Sequence, residues 1–432
     1  MKQDELDVID GLILLFGRNS LGCDYKEYFL ERSIKMKKLL VVLLSIMCVL
    51  TLAGCSNGSK EEAAPEQETA PENGEVYVKL GGSGPLSGDA KVYGEAVRNA
   101  AQIAVDEINA SDSPIKFDFY MADDEADGEK AVSAYSTLYD WGMQVSLFTV
   151  TSGSGAAVAS LYDEDGFFAI TPSGSSTALV YTDSKNFSRN FQMCFTDPNQ
   201  GVASADYMKA NFADAAVAVI YKSDDVYSAG VYEKFDAQSK ADGVNVVYTG
   251  AFTDDSSTDF STQLTAAKDA GADLVFLPIY YQPASLILKQ ANDMGYAPTF
   301  FGIDGMDGIL TLEGFDTSLA EGVYLLTPFA ADAEDAATKH FVEAYQAAYG
   351  DTPNQFAADA YDCVYAIHQA LENIGFKEGY AINGLGDDLA AQFRSMTFDG
   401  VTGTNMTWAE NGEVSKAPKA VIIENGVYVS AD

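Results

Sequence analysis

Strand-like and helix-like hydrophobic patterns alternate from residue 75 to the end of the chain, and this alternation limits the fold more than any other feature. The first series has strand-like runs at 76–81, 117–121, 145–150 and 167–170, with helical patterns at 95–109, 129–141 and 156–162. The second has strand-like runs at 217–221, 244–248, 274–278, 299–302 and 323–327, with helical patterns at 200–212, 229–241, 260–270 and 283–294. Helices at 334–349 and 356–374 follow, then short strands near 420–423 and 427–429. Such alternation predicts an α/β fold of parallel sheets covered by helices, and two series predict two lobes.

The segment before this body is typical of a bacterial export signal. A basic Met-Lys-Lys triplet at 36–38 precedes an uncharged apolar stretch at 39–53. A membrane-spanning helix needs about 20 apolar residues, and this stretch is shorter. Residues 36–54 are therefore predicted to be a signal peptide. It ends in Leu-Ala-Gly-Cys at 52–55, which resembles the bacterial lipobox and implies that Cys55 is lipidated.

Two further N-terminal segments complete this prediction. Residues 1–35 lie upstream of the signal and have no clear period, so we expect Met36 to be the true start and 1–35 to be a mis-called extension. A peptide from 1–35 in the unprocessed precursor would contradict that expectation. Residues 55–74 are rich in Glu, Ala, Pro and Ser and predict a disordered tether. We therefore expect an extracytoplasmic protein, anchored by lipid to the outer face of the cell membrane.

Composition excludes several classes of function. The 26 Lys and Arg residues against 64 Asp and Glu residues give a net charge of -38, which argues against a nucleic-acid partner. Only two histidines are present, His340 and His368, so no metal site is expected. Cys194 and Cys363 are either a disulfide or two buried thiols, and the sequence leaves this choice open.

Motifs for cofactors and catalysis are also missing. The glycine loop at 81–88 is not G-x-G-x-x-G, and no P-loop occurs, so no cofactor is expected. The acidic run at 123–128 resembles a calcium loop but has Ala134 where the last ligand is needed; it reads better as a helix N-terminus. No serine shows a nearby histidine base. We therefore expect a protein that is not an enzyme.

Two loops carry the most informative polar residues. Residues 151–155 and 171–176 are rich in Ser, Thr and Gly, and each follows an apolar strand-like run. Ligands in open α/β sheets bind outside the carboxyl ends of the strands, where hydroxyls and free N–H groups suit a carboxylate. Ordinary turn chemistry explains the same residues equally well, so both alternatives stay open at this point.

Short segments in a fixed order extend the pattern over nearly all of 75–430. These segments are 84–88 (Gly-Pro-Leu-Ser-Gly), 93–94, 100–101, 108–109, 162–166, 171–175, 195–201 (Phe-Thr-Asp-Pro-Asn-Gln-Gly), 259–261, 270–273 and 360–362. In this order, and behind a lipobox, they resemble the branched-chain amino-acid-binding proteins of ABC importers. The resemblance implies a hinged periplasmic-binding-protein type 1 fold with two Rossmann-like lobes. Lobe one is expected at 75–195 plus 328–402, and lobe two at 196–327 plus 403–432.

The resemblance also assigns nine residues to a ligand held between the lobes: Tyr93, Ser152, Ser173, Gly174, Ser175, Tyr227, Tyr280, Asp304 and Phe356. Ser152 and the turn 173–175 would hold the α-carboxylate and part of the ammonium. Asp304 would pair with the α-ammonium, in place of the glutamate common in the family. Tyr93 would line lobe one, Phe356 would touch the ligand side chain, and the two tyrosines of lobe two would close on it.

The implied function is capture of a branched-chain or related apolar amino acid and its delivery to ABC permease subunits. We expect a monomer that needs no cofactor. The alternative is a sensory lipoprotein that reports amino acids, amides or urea to a membrane receptor, with the same fold and cleft. A neighbouring permease and ATPase gene pair would favour transport.

Overall fold

The computed structural model describes residues 74–377 and 379–431. The predicted signal peptide, Cys55, the segment 1–35 and the tether up to residue 73 lie outside the described residues. Within the described ranges, no helix is both long and apolar enough to cross a membrane.

Five parallel strands form the first sheet of the described chain, in the order β2-β1-β3-β4-β7. The strands are β1 (Val76–Gly84), β2 (Ile115–Asp123), β3 (Val145–Ser146), β4 (Phe168–Thr171) and β7 (Asn190–Gln192). The intervening helices are α1 (Lys91–Ala110), α2 (Gly128–Trp141) and α3 (Ser152–Asp165). A small antiparallel pair, β5 (Tyr181–Thr182) and β6 (Lys185–Asn186), precedes β7. Asp127 caps α2 by accepting from two backbone N–H groups, which confirms the acidic run as a helix N-terminus.

Seven strands form the second sheet, in the order β14-β13-β12-β11-β10-β8-β9. The parallel strands are β8 (Val217–Lys222), β9 (Val246–Phe252), β10 (Leu274–Leu277), β11 (Thr299–Gly302) and β12 (Tyr324–Thr327). The helices between them are α4 (Asp197–Asn211), α5 (Val226–Asp242), α6 (Ser261–Asp269) and α7 (Tyr281–Asp293). The last strands, β13 (Lys419–Glu424) and β14 (Val427–Ser430), pair antiparallel. Asn425 and Gly426, both at positive φ, turn the chain between them as a two-residue hairpin requires.

Three more helices return the chain to the first sheet: α8 (Ala336–Tyr349), α9 (Gln355–Asn373) and α10 (Ile382–Phe393). Helix α9 packs on α1, and α10 packs beside β4. The chain therefore passes between the sheets three times, after β7, after β12 and before β13. We refer to these passages as the crossings.

The lobe boundaries stay predictions, but one contact bears on the last of them. The Trp408 indole Nε1 donates to the Gln192 carbonyl at 2.9 Å, and the Gln192 N–H donates to the Gly412 carbonyl at 2.9 Å. Both bonds hold residues 408–412 against β7 of the first sheet. This favours a last crossing near residues 415–418 rather than at 403.

Besides the small pair β5–β6, which was not predicted, three differences from the sequence expectation have a clear local cause. The run 145–150 is a strand only at Val145–Ser146, because Phe148 turns the backbone at a φ of 55°. Strand β7 was not predicted, since three residues are too few to show a period. Helix α10 was not predicted either, because Gly384 and Gly386 lower its helix propensity.

Candidate functional site

A small cavity lies where the carboxyl ends of strands from both sheets meet. Its walls are formed by Tyr93, Val150, Thr151, Ser152, Ser173, Ser175, Tyr227, Tyr280, Asp304, Gly305 and Phe356. The residues from 150 to 152 follow β3, and the serines at 173 and 175 follow β4. From the second sheet, Tyr280 follows β10 and Asp304 follows β11. Both lobes therefore contribute strand ends to one site, as ligand sites in α/β sheets do.

Eight of the nine residues singled out from the sequence line this cavity. Gly174 does not line the cavity. Its Cα faces Leu179 instead, since an added side chain would meet Leu179 Cδ2 at 2.4 Å. Its N–H donates to Thr171 Oγ1 at 2.7 Å. Sequence reasoning missed Val150, Thr151 and Gly305, which adjoin predicted residues. The ligand contacts of the eight stay predictions.

The serines of the first lobe differ in which atoms are free. Ser152 Oγ accepts from the Ser176 N–H at 3.1 Å, so its own proton remains available to donate. Ser173 Oγ donates to the Val150 carbonyl at 2.6 Å, so its oxygen retains the capacity to accept. This side of the site can thus present both a donor and an acceptor.

Helix α3 begins at the cavity without a side-chain cap. Thr151 occupies the N-cap position but forms no capping hydrogen bond, and its hydroxyl has no partner among the described residues. The first N–H groups of a helix carry partial positive charge and bind anions when no cap satisfies them. Burial raises the pKa of Tyr280 well above its ordinary value and the Ser152 N–H opposes the rise, so this N–H lies near a polar group of the second lobe.

Aromatic rings form the remaining walls. Tyr227 and Tyr280 stack with their centroids 5.1 Å apart and an interplanar angle of 12°. The Tyr93 ring lies 5.5 Å from that of Tyr280 and 4.6 Å from that of Phe356. The rings surround the site with apolar area while the tyrosine hydroxyls keep polar partners.

Tyr93 joins the two lobes directly. Its hydroxyl donates to the Gly305 carbonyl and accepts from the Tyr281 N–H at 3.2 Å. In return, the Tyr281 hydroxyl donates to the Asp89 carbonyl at 2.6 Å. Burial raises the pKa of Tyr93 well above its ordinary value, so the hydroxyl stays protonated and able to donate. The two lobes are therefore closed over the cavity in this structure.

Asp304 is the acid of the cavity. It is 3% exposed, and its Oδ2 accepts a long hydrogen bond of 3.4 Å from the amide of Gln200. Gln200 was not predicted; it also accepts from the Tyr227 hydroxyl at 3.2 Å. Burial raises the pKa of Asp304 well above the ordinary range, and the carboxylates of Asp359 and Asp307 raise it further.

A second set of buried polar groups lies at the last crossing, and we call it the crossing cluster: Asp359, Asp362, Thr402 and Lys416. Lys416 Nζ donates to Asp359 Oδ1 at 2.5 Å and to Thr402 Oγ1 at 2.7 Å, and both ionic side chains are 1% exposed. Asp362 accepts from the N–H groups of Val401 and Thr402, each at 2.9 Å. Burial raises the pKa of Asp359 to about 7 even though Lys416 lowers it.

The cysteines and His340 have structural surroundings away from any catalytic or metal-binding arrangement in the described residues. Cys194 and Cys363 are buried free thiols, which answers the question that the sequence left open. His340 Nε2 lies 2.8 Å from Glu107 Oε1 on the surface, away from the cavity. Within residues 74–377 and 379–431, no group of His, Cys, Asp and Glu could hold a metal ion.

Comparisons with known proteins agree with this geometry. The family model described as periplasmic binding protein matches residues 77–424. The Leu/Ile/Val-binding protein BraC3 of Rhizobium johnstonii is 28% identical over 303 residues, covering 70% of this chain and 80% of that protein. The Leucine-, isoleucine-, valine-, threonine-, and alanine-binding protein of Pseudomonas aeruginosa is 24% identical over 340 residues, covering 78% and 87%.

Solved structures share the fold. LivJ, a branched-chain amino acid transporter substrate binding protein of Streptococcus pneumoniae in complex with isoleucine, aligns with a TM-score of 0.72 at 26% identity. That alignment covers 82% of this chain and 98% of LivJ. A solute binding protein of R. palustris in complex with benzoate aligns with a TM-score of 0.73 at 19% identity, which shows the fold only.

The family model reaches every strand of the two sheets except β14, and it spans all three crossings and every residue that lines the cavity. A family of binding proteins also agrees with the expectation that the chain is not an enzyme, and it implies an extracytoplasmic location. The chain belongs to the periplasmic binding protein family.

Proposed function

We propose that this protein captures an α-amino acid between its lobes and delivers it to an ABC importer. The observation that carries the proposal is the polarity of the cavity. Ser152 and the uncapped start of α3 supply donors on one side, and the Asp304 carboxylate lies on the other. The relatives that the chain resembles are binding proteins for leucine, isoleucine, valine, threonine and alanine, which supports the same ligand class.

A zwitterion suits this arrangement because both of its charges need partners once water is removed. An unpaired buried charge costs several kcal/mol in general. The N–H and hydroxyl of Ser152 would receive the α-carboxylate, and Asp304 would receive the α-ammonium. The rings of Tyr93 and Phe356 would cover an apolar side chain, so a branched-chain or smaller apolar amino acid fits best.

Closure would join binding to delivery. The Tyr93 bonds to Gly305 and Tyr281 exist only when the lobes meet, so a ligand that bridges the lobes shifts the population toward the closed form. Delivery further requires that the protein stay near its permease. We propose that lipid on Cys55 anchors it there and that it works as a monomer.

A thermal-shift screen tests the ligand class. The purified protein would be melted with each amino acid and, separately, with amides, urea and sugars. A ligand at one hundred times its Kd stabilises the bound form by about 2.7 kcal/mol, so true ligands raise the Tm by several degrees. We expect apolar α-amino acids to raise it. A shift with amides, urea or sugars but with no amino acid would contradict the proposal.

A further inference from the structure

The cavity between the lobes is too small for the ligand class named above. Its walls leave room for about one water molecule, whereas every apolar amino acid needs considerably more space. A ligand can therefore be enclosed in only two ways: the lobes close less tightly around it, or one of the walls moves aside.

Looser closure would sacrifice the contacts that join the lobes. The Tyr93 hydroxyl donates to the Gly305 carbonyl and accepts from the Tyr281 N–H at 3.2 Å. The Tyr281 hydroxyl donates to the Asp89 carbonyl at 2.6 Å. Lobes held apart by a ligand would leave these groups without their partners, which is costly in a site from which water is excluded. Movement of one wall retains all of these contacts.

Four aromatic rings form most of the wall, and three of them are fixed. The Tyr93 hydroxyl is held by the bonds between the lobes. The Tyr227 hydroxyl donates to Gln200 Oε1 at 3.2 Å and accepts from the Gly305 N–H at 2.8 Å. Phe356 belongs to the first turn of α9 and is 4% exposed, so its ring is enclosed by its neighbours. None of these three rings can turn without breaking a bond or entering a packed region.

Tyr280 is held differently from the other three. Its ring stacks on that of Tyr227, with the centroids 5.1 Å apart, and the residue is only partly buried. It is the N-cap residue of α7, but its side chain makes no capping hydrogen bond. Its backbone is fixed, because the next residue, Tyr281, donates its N–H to Tyr93. Rotation of the side chain alone would therefore carry the ring out of the cavity toward solvent.

The ring of Tyr280 also lies where a ligand would bind. It is 5.5 Å from the Tyr93 ring on the opposite wall. Its hydroxyl lies near the Ser152 N–H, because that N–H opposes the effect of burial on the tyrosine pKa. The same N–H is the group that would receive the α-carboxylate. The Tyr280 hydroxyl and a ligand carboxylate therefore compete for one donor.

We propose that Tyr280 is a gate within the cleft. With its ring turned in, as in this structure, the lobes close on the ring; with its ring turned out, the same closed lobes have room for an amino acid. A phenol ring is comparable in size to a small apolar amino acid, so withdrawal of one ring supplies the space. The self-closed form competes with the ligand and lowers its apparent affinity. This inference rests on the proposed function and deepens it, because it names the step that limits ligand entry.

Stopped-flow binding to the full protein tests the gate, using the amino acid with the largest thermal shift. In the wild type, the observed rate should level off at high ligand concentration, because turning the ring out limits it. Tyr280→Ala removes the ring, so the rate at high ligand should rise by about tenfold or more. Tyr280→Phe retains the ring and should still level off.

Tyr232→Ala is the matched control for the loss of a large side chain. Tyr232 is a partly buried tyrosine of the second lobe that stacks on Tyr221, with the centroids 3.9 Å apart, and it does not line the cavity. Its replacement should leave the rate at high ligand unchanged. A Tyr280→Ala variant that levels off at the wild-type rate would overturn the inference. A wild-type rate that rises in proportion to ligand without levelling off would do the same.

Tyrosine nitration, located by mass spectrometry, tests the gate in the wild type and so does not depend on how Tyr280→Ala folds. With saturating amino acid, Tyr227 should be protected, because its ring is fixed inside the closed cleft. Tyr280 should stay reactive, because its ring is turned toward solvent. Equal protection of the two tyrosines would overturn the inference. A wild-type protein that binds no amino acid would instead overturn the proposed function.

Discussion

Two groups of buried acids lie close together in this protein, and they differ in whether the chain supplies partners for their carboxylates. In the crossing cluster, Asp359 has the Lys416 ammonium and Asp362 has two backbone N–H groups. In the cleft, Asp304 has one long hydrogen bond of 3.4 Å and Asp197 has none of normal geometry. We call these last two residues the cleft pair.

The difference separates acids that have partners within the chain from acids whose oxygens remain available to a ligand. A buried charge is tolerated when its partner comes from the same chain, and the crossing cluster meets that condition. The cleft pair lacks such a partner, so its balance has to come from outside the protein or from a bound proton. Burial alone therefore does not distinguish the two groups of acids, whereas the presence or absence of partners within the described chain does.

The largest expected effect is on stability and concerns the crossing cluster. Lys416→Met leaves Asp359 buried without its cation and should lower the free energy of unfolding by about 3–5 kcal/mol. Chemical denaturation would measure the loss, with Lys209→Met on the exposed face of α4 as the control. Adding Asp359→Leu to Lys416→Met should recover much of it. A loss below about 1 kcal/mol would remove the distinction drawn between the two groups.

The cleft pair should respond in the opposite sense. Asp304→Asn should weaken amino-acid binding by roughly a hundredfold, as expected when a buried charged hydrogen bond is lost. The ligand-free protein should melt at the same or a higher temperature, because a carboxylate with a raised pKa destabilises the fold once ionised. Titration calorimetry and thermal melting would measure both effects. A variant that binds normally, or that melts well below the wild type, would place Asp304 with the fold-holding acids.

The pH dependence of ligand affinity tests Asp304 of the cleft pair without any substitution. Because the pKa of Asp304 is raised, its charged form becomes populated above the ordinary carboxyl range of about 4, and ammonium binding needs that form. Affinity should rise with pH by at most tenfold per unit, while the stability of the ligand-free protein falls over the same window. Calorimetry across this window should show the rise, and the rise should vanish in Asp304→Asn. Affinity that is flat in the wild type would contradict the assignment.

The smallest predicted change concerns closure. Tyr93→Phe keeps the ring beside Phe356 but removes the bonds to Gly305 and Tyr281. Net hydrogen-bond contributions are about 1 kcal/mol, so affinity should fall roughly fivefold, mainly through faster ligand release. Stopped-flow binding would resolve this, with exposed Tyr77→Phe as the control. An unchanged release rate would show that closure does not depend on this hydroxyl.

Much of the fold is predictable from the sequence because it depends on local periods. Strand β11 occupies 299–302 in both prediction and structure, and α9 differs by one residue at each end. The antiparallel pairing of β13 was not predicted, because strand direction depends on which neighbour the chain reaches after the last crossing. Helix α10 and strand β7 were not predicted, because the glycines of α10 and the three-residue length of β7 leave no clear hydrophobic period.

The site was predictable to the extent that ligand groups follow strands. Ser152, Tyr280 and Asp304 each follow a strand, and the resemblance to known binding proteins assigned them. The lack of partners around Asp197 is a property of three-dimensional packing and leaves no trace in residue spacing. In the sequence, Asp197 stands out only as a member of the motif at 195–201, and the neighbouring Gly230 lies on another helix.

Trp408 gives the protein an optical reporter of its own hinge. The chain has only two tryptophans, and Trp141 lies away from the cleft, at the end of α2, with the Lys79 ammonium 5.2 Å from its ring. Trp408 is buried, and its indole N–H is bonded to Gln192, the residue at which the first crossing begins. Both residues lie on the side of the first sheet, and the chain enters the first crossing directly after Gln192, so a rotation about the crossings is expected to change the packing and polarity around the ring. Ligand capture is therefore expected to be visible in the intrinsic emission of the untreated protein, without any attached dye.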